Sequence, residues 1–135
     1  MPRRPPLRTE EPPAGAILLV RGGPDTIETL REDAQATAQL WSLDRQPLLG
    51  ISVVAAVDLS LRELLRTRRT LSHFPVIHTP TVAELRDFRL LPTFRRPHLT
   101  VCLQSGDDPE LARLLAAMGP PQVNPEYRRS TLEDS

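Results

Sequence analysis

Four times along this chain a helix-opening signature follows an apolar run, and that recurrence limits the possible folds more than any other feature. Asp25 and Glu28, Ser60 and Glu63, and Thr81 and Glu84 each have capping-box spacing. In that motif the first side chain takes the N–H three residues on, and the second reaches back to the first residue's own N–H. Asp108-Pro109 supplies a fourth start, an N-cap with proline at the first helical position, where no N–H is needed. The segments between these starts are too short and too β-branched for helices. Ala16–Val20 halts at Arg21-Gly22-Gly23-Pro24, and Leu48–Val57 is a nearly continuous apolar run that reads as a central strand. Phe74–His78 is a third strand, with Pro75 pushing its start toward an edge. Leu90–Phe94 and His98–Leu103 flank Arg95-Arg96-Pro97 as a hairpin.

The resulting order, β-α-β-α-β-α-β-β-α, predicts an α/β fold, with α+β as the fallback: a small mixed sheet of about five strands carrying about four helices. Helical periodicity supports the first and last helices. Ile27, Leu30, Ala34, Ala38 and Trp41 share one face, and Leu111, Leu114, Leu115 and Met118 another, which Gly119 closes. The length of 135 residues suits one core. Prolines divide the chain into a Pro/Arg-rich arm over 1–15, a folded domain over 16–119 and a flexible tail over 120–135.

Composition excludes more than it identifies. No apolar run approaches the roughly 18 residues of a membrane span, and no apolar segment follows the basic start as in a signal peptide. A cytoplasmic protein with no membrane partner is therefore expected. A formal net charge of zero argues against global attraction to nucleic acid. All of the basic residues are arginine, which together with 15 prolines reflects the codon usage of a high-GC genome before it reflects function. The lone cysteine, Cys102, falls in an apolar strand and reads as a small buried hydrophobe.

Chemistry-bearing residues cluster in the second half. His73, His78 and His98 lie among eight arginines between positions 62 and 98, against only Glu63, Glu84 and Asp87, a local balance of +5. Histidine to move a proton and arginine to hold phosphate charge are the means of metal-free phosphodiester cleavage. The alternative is that the histidines pack turns and strand ends while the arginines are solvated. No His or Cys pair has metal-ligand spacing, so no metal is expected.

Pro97-His98-Leu99-Thr100-Val101 resembles one His-x-Thr-hydrophobic motif of the 2H phosphoesterases, which act on RNA ends and cyclic phosphates. The resemblance implies His98 as acid/base with Thr100, on the same strand face, as a phosphate contact; the family's second motif has no counterpart here, and Arg96 is a further phosphate contact expected under an effector function. Arg21-Gly22-Gly23 after a strand, then a helix, then Gly50-Ile51-Ser52-Val53, resembles the front half of small ADP-ribosyltransferase domains. That likeness implies Arg21 and Ser52 in an NAD pocket, although the family's strand-end Glu is missing. NAD is expected only under that reading, and otherwise no cofactor. The Arg-Gly-Gly-Pro turn and the Phe94–His98 stretch also resemble short Arg-rich proteins of actinobacterial genomes, a family without an assigned activity. The candidate residues are thus His98 and Arg21 for catalysis and Ser52, Arg96 and Thr100 for substrate. The function expected is a nucleotide- or RNA-directed effector, such as the toxin of a toxin–antitoxin pair with a cognate antitoxin as partner. The alternative is a non-catalytic module that binds another protein.

Overall fold

Strands with two apolar faces need cover on both sides, and the architecture supplies it. The computed structural model describes residues 18–43, 45–56, 60–93 and 98–127. In chain order these form β1 (Leu18–Gly23), α1 (Ile27–Leu40), β2 (Ser42–Leu43), β3 (Gln46–Pro47), β4 (Gly50–Ala56) and α2 (Leu61–Thr67). A 3₁₀ turn (Arg69–His73), β5 (Val76–His78), β6 (Arg89–Pro92), β7 (His98–Cys102), α3 (Asp108–Met118) and β8 (Gln122–Val123) follow. The main sheet has the order β6-β7-β4-β1-β5-β8. On one face Leu19, Ile51, Val53, Leu99 and Val101 pack against Leu30 and Ala34 of α1 and Leu111, Leu114 and Met118 of α3. On the other, Val20, Val54, Ala56 and Ile77 meet Leu64 and Leu65 of α2 and Leu71 of the 3₁₀ turn. Each such leucine or isoleucine, fully buried, contributes about 1.5–3 kcal/mol relative to exposure.

The fold is mixed α and β, as the alternation of signals predicts, but the sheet is antiparallel throughout its pairings instead of mixed. A single helical crossover returns a chain for parallel pairing. Here the β2–β3 hairpin intervenes between α1 and β4, and β4 runs antiparallel to β1. The described residues hold three α-helices, not four. Thr81 and Glu84 do make their capping bonds, yet residues 82–87 form successive turns. Val82, Leu85 and Phe88, spaced by three, all join the α1/α3 core. Hydrogen bonds from i+3 to i, such as Leu85 to Val82 at 3.1 Å and Phe88 to Leu85 at 2.9 Å, eclipse such residues on one side.

Two caps shift by one residue. α1 is capped by Thr26 with Thr29, because Asp25 is drawn to Arg21. α3 is capped by Asp107, with Pro109 in its first turn. Beyond Gly119, where a tail is predicted, β8 pairs with β5 and buried Asn124 donates to the carbonyls of Leu71 and Phe74. The arm over 1–15 lies outside the described residues. No helix among those described is long and apolar enough to cross a membrane.

Candidate functional site

β1 changes partners half-way along. Leu18–Val20 pair with β4, whereas Arg21–Gly23 pair with His78, Ile77 and Val76 of β5. Past Val54 the strands part, and the main chain of Ser52 has no strand partner on that side. An unpaired buried polar group costs about 1–3 kcal/mol, and side chains close the gap. The Ser52 N–H donates to Asp33 Oδ2 at 3.1 Å, and Arg21 Nη1 donates to the Ser52 carbonyl at 3.0 Å.

Arg21 is held by more than Ser52. Its Nε and Nη2 fork onto the two oxygens of Asp25 at 2.7 and 3.1 Å, and Nη1 also donates to Asp33 at 2.7 Å. Burial works against this charge, but Asp25 and Asp33 outweigh it and push the guanidinium pKa further up. His78, 1% exposed, extends the network. Its Nε2 accepts the Asp25 N–H at 3.1 Å, which leaves Nδ1 to carry the proton toward the Gly119 carbonyl at 2.9 Å. Arg21 thereby joins the sheet to α1, and His78 links this network to Gly119 at the end of α3.

The parting strands leave a cleft of about 360 Å³. Arg21 and Ser52 line it together with His98 of β7, so three of the residues predicted from the sequence meet there. Val54 and His98 are opposed in the β4–β7 register, which places His98 beside the gap. Arg68, Thr70 and Phe74, around the 3₁₀ turn, form the facing wall. The Phe74 ring lies on Gly22 so closely that a Cβ there would stand 2.3 Å from it, and only glycine admits this contact. Phe74 remains 39% exposed, an aromatic surface at the rim. Arg68 is half-buried, and no hydrogen bond or ion pair joins its guanidinium to the described residues.

His98 is oriented by a residue the sequence does not single out. Thr93 Oγ1 lies 2.7 Å from His98 Nδ1 and 2.8 Å from Thr100 Oγ1. A hydroxyl both donates and accepts, so Thr93 can hold the imidazole in either tautomer. Thr100 shares the His98 face, but it is 2% exposed and serves this hydroxyl chain, away from the cleft wall. Arg96 lies outside the described residues. Arg68, Thr70 and Phe74 carry no distinguishing sequence signal, Arg68 being one of eight arginines in its segment.

Two further groups matter for charge. The Cys102 thiol is pushed up in pKa by burial, with Arg89 opposing only in part. Glu110 is almost fully buried, and burial raises its pKa. The N–H groups of Gln104, Gly106 and Ser105 and the Ser105 hydroxyl outweigh this and hold the carboxyl below its ordinary range. Among the described residues no group of three or more His, Cys, Asp or Glu could hold a metal ion.

The chain matches no protein-family model, no curated protein and no solved structure. Any functional reading therefore rests on the cleft itself.

Proposed function

We propose that this protein is a nucleotide- or RNA-directed effector, of the kind that serves as a toxin in a toxin–antitoxin pair, and that it acts through the cleft at the split of the sheet. The observation that carries the reading is the meeting of His98, Ser52 and Arg68, whose guanidinium has no partner among the described residues, around one cavity rimmed by an exposed phenyl ring. Arg68 supplies charge for a phosphate group, the Thr70 hydroxyl a neutral contact, and Phe74 an apolar surface for a base. His98, oriented by Thr93, supplies the acid/base group. Arg21 is assigned to structure, since its charge is already matched by two carboxylates.

The test is growth of a bacterial host expressing the chain. Toxicity that His98→Ala and Arg68→Gln each abolish, at unchanged protein level, supports the reading. Equal toxicity of wild type and both variants, or none from any of them, removes the cleft from consideration.

A second reading, a non-catalytic interaction module, draws on β8. This edge strand exposes Val123 at 80%, with Tyr127 beyond it at 42%. An open edge bearing apolar side chains is a template for pairing with another chain. Under that reading Val123→Lys abolishes the cellular effect and His98→Ala does not.

A further inference from the structure

A second cavity, of about 330 Å³, lies at the other end of β7, between the start of β6 and α3. We propose that it binds a small organic anion with an apolar body, held by Arg89 and Arg113.

The two arginines come from separate elements, β6 and α3, and both face this cavity. Neither is joined to a carboxylate among the described residues, although Asp87 and Glu110 stand on the same walls. Glu110 does not compete for them. Its oxygens take the N–H groups of Gln104, Ser105 and Gly106 at 2.8, 2.9 and 2.7 Å. Two guanidinium groups that line one cavity, with no carboxylate partner among the described residues, match a carboxylate or phosphate, which accepts paired N–H donors. Leu48, Leu49, Phe88 and Leu103 give part of the remaining wall an apolar surface that suits a ring or short chain, beside the polar Asp87 and Gln104. Ligand pockets begin at about 300 Å³, so the occupant is of metabolite size and not a polymer. This site shares no lining residue with the sheet-split cleft and does not depend on its function.

Cys102 offers a direct readout. It is the chain's single cysteine, lines this cavity and lies opposite Arg89 in the β6–β7 register. Alkylation by iodoacetamide, an uncharged reagent, is followed by mass spectrometry at fixed pH with increasing phenyl phosphate. The expected result is a saturable slowing of alkylation. Arg89→Gln and Arg113→Gln should each raise the half-saturating concentration roughly tenfold or more, the value of a lost charged hydrogen bond. Both arginines are exposed, so neither substitution threatens the fold. No slowing in the wild type, or an unchanged half-saturation in either variant, overturns the proposal.

Discussion

Arg21 and Arg68 line the same cleft and have opposite standing in the molecule. Arg21 bridges two carboxylates and a strand carbonyl in a half-closed network that joins the sheet to α1. Arg68 lines the cleft too, with its charge unmatched among the described residues. The same contrast recurs at the second cavity, where Glu110 is saturated by three N–H groups while Arg89 and Arg113 are not. A charge whose donors or acceptors are consumed within the fold is stabilising structure. A charge held toward a cavity with nothing to meet it is available to a ligand. Residue type does not separate the two, whereas the completeness of the hydrogen bonding does.

The comparison breaks most readily through stability. Arg21→Met should cost about 3–5 kcal/mol, the expected loss when one partner leaves a buried ion pair, because Asp25 and Asp33 keep uncompensated charge and the Ser52 carbonyl loses its donor. Arg68→Gln should change stability by less than about 0.5 kcal/mol, because it removes no side-chain hydrogen bond or ion pair to the described residues. Urea unfolding of both variants checks this, and equal losses would erase the distinction between them.

Glu110→Gln sharpens the contrast with a smaller effect, about 2 kcal/mol at neutral pH for lost hydrogen bonds to a charged group. The sign with pH follows from the lowered carboxyl pKa in the folded state. The ionised carboxylate stabilises the fold above the ordinary value of 4.5 and loses that contribution as pH falls through it toward the folded value. The gap between wild type and Glu110→Gln should therefore narrow on acidification, measured by unfolding midpoints at pH 7 and pH 4. A gap that widens would contradict the assignment.

Much of the fold can be read from local chemistry, because capping and apolar runs act over a few residues. Ser60 and Glu63 open α2 as their spacing predicts. The elements that escape are those decided by distant partners. Gln122 and Val123 become a strand only because β5 offers an edge, and Asn124 is held by the carbonyls of Leu71 and Phe74, 53 and 50 positions away in the chain. Thr81 and Glu84 make the capping bonds of a helix start, but no helix follows: the three-residue apolar spacing after them goes with tight turns. At the site, Arg21, Ser52 and His98 are legible as strand-end polar residues. That Arg21 is consumed by Asp33, and that Thr93 orients His98, depends on contacts between elements and has no local signature.

The central claim is that the cleft at the parted strands takes a phosphate-bearing ligand on Arg68 and not on Arg21. The most direct test is an NMR titration of the isotope-labelled chain with 5′-AMP, following the backbone amides of Ser52, Thr70 and Phe74. Saturable shifts confined to these walls, weakened roughly tenfold or more in Arg68→Gln, are the result expected. No shifts at these amides, or shifts with the same affinity in Arg68→Gln as in the wild type, would contradict the account.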